Sequence, residues 1–214
     1  MPTMQVQAAV SPLTYRPRSV ASAASQEKEA EKPGLTGDEM ARSLIYGGGA
    51  FTVGAAYPTV WLHEMGHALT ANALYQGANP HITINPLQGG VTRWTPGPLT
   101  ELGQKLGPEH ARAAVAAAGT VIDVGIATTS FAAGYMMRKK HPVAGAVLMG
   151  YAGMSMANTV MYAASALQAA SAGNDFATFA AMTGIHPAIT LGAMVAILPA
   201  EYLLLRHLEQ KGII

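Results

Sequence analysis

The sequence predicts an all-α polytopic membrane protein with about four transmembrane helices, a short helix, a small β-hairpin and a disordered N-terminal tail. Three observations carry this expectation. Only 12% of the 214 residues are charged and 50% are apolar, whereas a soluble domain carries about a quarter charged residues. Long stretches hold no Asp, Glu, Lys or Arg, among them Ser43 to Leu62. Several of them reach the roughly 20 residues that a helix needs to cross a bilayer, so the lipid bilayer is an expected partner and a multi-pass integral membrane protein the expected placement.

The remaining composition removes other classes. Thirteen Lys and Arg against twelve Asp and Glu leave a net charge of +1, so no basic surface argues for nucleic acid. No cysteine is present, which excludes disulfides, thiolate metal ligands and a cysteine nucleophile. Any metal site must be built from His, Asp and Glu.

In chain order, residues 1–36 are rich in Ser, Ala, Pro and Gln and turn charged from Gln26 to Lys32 before Pro33-Gly34. This composition reads as a flexible tail ahead of a membrane-embedded domain, 37–214. Arg16 and Arg18, with no acid before Glu27, are faintly like a transit peptide. The apolar core of a secretory signal is missing, and a cytosolic tail is the expectation.

The first apolar segment starts near Arg42 and runs through Gly47-Gly48-Gly49 and Pro58 to Leu74. It is long enough to span once, with Pro58 expected to kink it and the glycines to admit a neighbouring helix. From Tyr75 to His110 the pattern changes to Gly, Pro, Asn and short alternating runs. Pro80–Asn85 and Gly90–Trp94 alternate with period two, which predicts a β-hairpin with Trp94 as an interfacial anchor. His81 is expected to face solvent.

Ala113 to Met137 is the second span, broken only by Asp123 and closed by Arg138-Lys139-Lys140. The third runs from about Pro142 to Ala170 and is rich in the small residues that pack membrane helices. A turn-like break, Ser171 to Phe176 with Asp175 in it, leads to a short apolar helix ending near Gly184. The last span runs from about Pro187 to Leu205. The positive-inside rule puts Arg138-Lys139-Lys140 in the cytosol, which with four spans puts both termini there too.

One stretch carries chemistry: His63-Glu64-Met65-Gly66-His67. Helical residues four apart are separated by about 400°, so His63 and His67 project from one face and both can reach a single Zn²⁺. Glu64, about 100° round from His63, sits beside that ion, where it can take a proton from water. Ionisable groups at membrane depth are costly and mark function by default; hydrogen-bonded structural histidines are the competing explanation.

A catalytic zinc site takes three protein ligands and keeps one position open. The soluble pattern with a third histidine fails, because Thr70 and Ala73 stand where its glycine and histidine belong. The pattern using a downstream glutamate would need Glu101, in a loop. Asp175, Asp123, His186 and Glu201 remain. Asp175 leads, being a short carboxylate in a break between helices, although Asp also caps helices. Asp123 is expected to hydrogen-bond a ligating histidine or to line a polar path, and His186 and Glu201 to lie near the interface.

The run His63-Glu64-Met65-Gly66-His67-Ala68-Leu69 in a membrane helix, a Gly-Gly hairpin, Ala118 to Asp123 in the next span and a later Asn174-Asp175 together resemble the site-2 protease (M50) family of intramembrane zinc metalloproteases. The resemblance covers roughly residues 44–185. It implies a zinc held by His63, His67 and Asp175, with Glu64 as the catalytic residue, and a membrane-protein substrate cut in or near a transmembrane segment. The chain departs from the family pattern at Thr120, Asp123 and Phe176. The alternative is a non-proteolytic membrane scaffold or assembly factor that retains the metal site. A di-iron oxidase would need many more paired histidines than the scattered His81, His110, His141, His186 and His207.

Overall fold

The computed structural model describes residues 34–85, 89–168 and 173–214, all within the unit Pro33–Ile214. The expected tail, up to residue 33, lies outside them, as do 86–88 of the expected hairpin turn and 169–172 of the expected break. The described residues are mostly α-helical.

Helix α1, Gly37–Arg42, starts at a capping box: the Glu39 N–H donates to Thr36 Oγ1 at 3.2 Å and the Thr36 N–H donates to Glu39 Oε2 at 2.8 Å. The helical path continues through a π-helical turn, Ser43–Gly47, the single turn α2, Gly48–Ala50, and a second π-helical turn, Phe51–Ala55, into α3, Ala56–Leu74. Pro58 has no N–H, and its ring needs the space of the carbonyl four residues back. The π turn shifts the hydrogen-bond ladder just before it, so Pro58 falls in the first turn of α3 rather than inside a helix.

Strands β1, His81–Asn85, and β2, Gly89–Arg93, form the expected hairpin, antiparallel with Ile82 opposite Thr92 and Ile84 opposite Gly90. Trp94 packs on Tyr75 with ring centroids 4.6 Å apart. Helices α4, Glu101–Leu106, α5, Pro108–Met137, α6, Pro142–Ser165, α7, Asp175–Thr183, and α8, Pro187–Gln210, follow. Among the described residues, α5, α6 and α8 are long and apolar enough to cross a membrane, which fits a multi-pass membrane protein. Each begins on a proline, whose missing N–H costs nothing in a first turn.

Helix ends differ from the apolar limits read in the sequence. α5 begins at Pro108 rather than Ala113, and α8 runs to Gln210 rather than Leu205. A backbone ladder tolerates polar side chains such as Glu109 and Arg206, so hydropathy marks the lipid-embedded part of a helix and not its full length. At α7 the end agrees: Gly184 adopts φ +73°, the left-handed cap that glycine reaches without strain.

α5 is the central helix, packed against α3, α6, α7 and α8. Ala127, Phe131 and Tyr135 of α5 meet Met149, Ala152 and Met156 of α6 and Leu205 of α8 in one core; Ala71 and Leu74 of α3 meet Ala111 and Val115 of α5 in another. Small residues set these spacings. A Cβ on Gly66 would lie 2.7 Å from the Ala118 carbonyl oxygen, and a Cβ on Gly47 would overlap the backbone of Gly150. Of the three consecutive glycines only Gly47 serves this contact closely; Gly49 faces open space.

Arg138, the first residue of the basic run after α5, is buried. Its side chain is 4% exposed. Nη2 lies 2.6 Å from Glu209 Oε1, Nη1 donates to the Tyr135 carbonyl at 2.6 Å, and the guanidinium sits 3.8 Å over the Tyr135 ring. The Tyr135 hydroxyl and the Gly34 N–H both donate to Glu209 Oε2, at 2.6 and 3.0 Å. Gly34, the first described residue, is thereby tied to the end of α8. Removing Arg138 leaves the partly buried Glu209 carboxylate, among the described residues, with only the more exposed Lys139, 3.2 Å away, as a cationic partner. Arg138→Leu is therefore expected to destabilise the protein by about 3 kcal/mol, and Arg138→Leu/Glu209→Leu to recover part of that loss, both read as thermal unfolding in detergent micelles.

Candidate metal centre

The metal-ligating face of α3 is set by its four-residue spacing and by what α5 leaves out. Gly119 on α5 lies directly opposite: a Cβ there would fall 2.5 Å from both His63 Nε2 and His67 Nε2. Only a residue without a side chain leaves room for the two imidazoles between the helices.

Each ring is anchored through its other nitrogen. His67 Nδ1 lies 2.6 Å from the Val115 carbonyl oxygen, and His63 Nδ1 lies 2.7 Å from Asp123 Oδ2. A carbonyl oxygen can only accept, so His67 Nδ1 carries a proton, and in the neutral imidazole its Nε2 presents a lone pair. The Asp123 carboxylate does the same for His63. Outer carboxylate and carbonyl partners of this kind fix tautomer and ring orientation in metal sites. Asp123 Oδ1 is buried with no protein donor, and Asp123 lines the cavity beside the histidines.

Asp175 arrives from α7. The cap of that helix is Asn174, whose Oδ1 accepts from the Ala177 N–H at 3.1 Å, so the capping role is taken by its neighbour and the Asp175 carboxylate is left free. Asn174 Nδ2 donates to the Tyr162 carbonyl and to Ser165 Oγ, pinning the start of α7 to α6. The Tyr162 hydroxyl accepts from the Asp175 N–H at 3.0 Å and donates to its Oδ2 at 3.2 Å.

The three atoms expected to be ligands converge. His63 Nε2 and His67 Nε2 are 3.0 Å apart, and each lies 3.2 Å from Asp175 Oδ2. Together they form a group of ligand atoms all within 4.8 Å of one another. A tetrahedral zinc with bonds of about 2.0–2.1 Å would set its ligand atoms about 3.3 Å apart, so the spacing suits such an ion. Two nitrogen lone pairs and a carboxylate oxygen at this distance repel until a cation sits among them or one imidazole takes a second proton and donates it to Asp175 Oδ2. The triad can chelate a metal ion.

Glu64 is 6% exposed and lines a cavity of about 440 Å³ together with His63, Asp123, Gly90, Thr159 and Tyr162. The Thr92 hydroxyl donates to its Oε2 at 2.6 Å. The other residues weighed from sequence stay apart from the cluster. His81 is exposed on β1, His186 caps α8 by accepting from the Ala188 N–H at 3.2 Å, and Glu201 lies within α8.

Gly119, Val115, Tyr162 and Thr92 were not legible as site residues. Gly119 is one small residue in an Ala-rich helix and Val115 contributes only its backbone. No protein-family model, curated protein or solved structure matches the chain.

Elemental analysis of the purified protein is expected to find about one divalent ion per chain. His67→Ala and Asp175→Asn should empty the site, and Asp123→Asn should retain it with affinity about 10- to 100-fold weaker. Equal occupancy in all four proteins would contradict the ligand geometry.

Proposed function

We propose that this chain is a zinc-dependent intramembrane peptidase related to the site-2 proteases, hydrolysing a peptide bond in or near a transmembrane segment of another membrane protein. The observation that carries the reading is the His63, His67 and Asp175 triad on apolar helices with Glu64 beside it at a cavity. Zinc fits the donor set, since two imidazoles and one carboxylate leave a fourth position open.

In this reading the helical stretch ending in α3 is a fourth span. Its length from α1 to α3 supports that, while the ionisable residues of the histidine motif keep it less apolar than α5, α6 and α8. Four crossings put both termini on one side, the cytosolic one by the positive-inside rule, with exposed Lys140 still contributing there.

Zinc, when bound, would supply a Lewis acid that polarises the scissile carbonyl and makes water nucleophilic near neutral pH. The remaining steps belong to the protein. His63 and His67, locked by Asp123 and Val115, would hold the ion through their Nε2 atoms. Glu64 takes the proton of the attacking water at its carboxylate and returns it to the leaving amide nitrogen. The cavity walls from α3, α6 and the hairpin orient an unwound stretch of substrate. Ile84, Gly89 and Gly90 line this cavity, and in this reading the hairpin holds that stretch by strand addition.

Glu64→Gln separates this reading from a metal-bearing scaffold. Membranes containing the wild-type protein are expected to yield new peptide termini within or beside transmembrane segments, detected by terminal proteomics. Glu64→Gln should retain its metal and reduce those termini at least about 100-fold. A phenotype that survives Glu64→Gln, with no termini in either sample, would favour the scaffold.

A further inference from the structure

We propose that Thr92 is the positioning residue that holds Glu64 for proton transfer, so that the hairpin serves as the backstop of the general base. This rests on the peptidase reading above and assigns a role to a residue outside the histidine motif and the triad.

A glutamate side chain has several rotamers, and a carboxylate beside a metal site is useful in few of them. Three features of β2 restrict Glu64. The Thr92 hydroxyl is 2.6 Å from Glu64 Oε2 and 3.0 Å from the Glu64 carbonyl oxygen. A hydroxyl has one proton, and the shorter distance to a charged acceptor is where it goes. Oε2 is thereby occupied, and Oε1 is the oxygen left for proton transfer in this proposal. Threonine is stiff at χ1, so its oxygen is a fixed reference point rather than a mobile donor.

Gly90 supplies the second restriction. A Cβ there would overlap Glu64 Cγ and lie 2.6 Å from Oε1, so the strand is hollowed to the shape of this side chain. Gly90 and Thr92 are two apart on one strand and face the same way. The third restriction is register: Thr92 pairs with Ile82 and Gly90 with Ile84, so the ladder that forms the hairpin places the donor and the hollow together.

The test uses acetohydroxamic acid as probe, since a hydroxamate chelates zinc and shares its proton with the neighbouring general base; no natural substrate is needed. Its affinity is measured on zinc-loaded, detergent-purified wild-type, Thr92→Val, Thr92→Ser, Gly90→Ala and Glu64→Gln proteins, alongside zinc content. All are expected to hold zinc equally. Affinity should fall about tenfold in Thr92→Val, as for loss of one hydrogen bond to a charged group, stay near wild type in Thr92→Ser, and fall in Gly90→Ala and Glu64→Gln. Wild-type affinity in Thr92→Val, or a loss in Thr92→Ser as large as in Thr92→Val, overturns the role of Thr92 and leaves the peptidase reading standing. Wild-type affinity in Glu64→Gln, or no zinc in the wild type, removes the peptidase reading and this proposal with it. If Thr92→Val does not fold, Gly90→Ala decides: unchanged affinity there overturns the proposal.

Discussion

Two imidazole nitrogens and a carboxylate oxygen facing one another at 3.0–3.2 Å are the constraint on which the site depends. With both rings neutral the cluster lacks a positive centre, which a metal cation or a further proton would supply. The fold keeps it because each histidine is anchored from behind, His67 by the Val115 carbonyl and His63 by Asp123. These anchors dictate the tautomers, and the tautomers dictate where the lone pairs point. Without them α3 would present two rings free to turn to other partners.

The helices are spaced to serve that arrangement. α5 crosses α3 at Gly66 and Gly119, where a methyl group on either would strike backbone or imidazole. It then carries Asp123 one turn further along the same face, so one helix supplies both the clearance for the rings and the anchor for one of them. α7 is fastened to α6 through Asn174, Ser165 and Tyr162, which delivers Asp175 from the opposite side. At the far end of α5, Arg138 and Glu209 join α5, α8 and the start of the described chain at Gly34. That cluster holds the frame rather than the chemistry.

Much of this was legible in the residues themselves. The lack of charge over long stretches predicted apolar helices, period-two alternation predicted the hairpin, and the four-residue histidine spacing put both rings on one face. Asp175 could be singled out because a short carboxylate in a break between helices can be pointed at a metal without a long buried stem. Its neighbour Asn174 turned out to take the capping use, which sequence could not assign because either residue type caps equally well. The partner of Arg138 was hidden for a related reason: hydropathy sees a basic run, and only the folded chain shows that Glu209, 71 residues away, meets its first member.

Sequence by itself determined the local quantities: which segments are helical or extended, which face each residue occupies, and that a His-Glu pair and a second His share one helix face. Backbone geometry and side-chain size decide these over a few residues. The tertiary structure decided which distant groups meet: Gly119 opposite the imidazoles, Val115 and Asp123 behind them, Asp175 across from them and Thr92 against Glu64. Those meetings follow from helix packing and strand register, which depend on close contacts between segments tens of residues apart and leave no periodic trace along the chain.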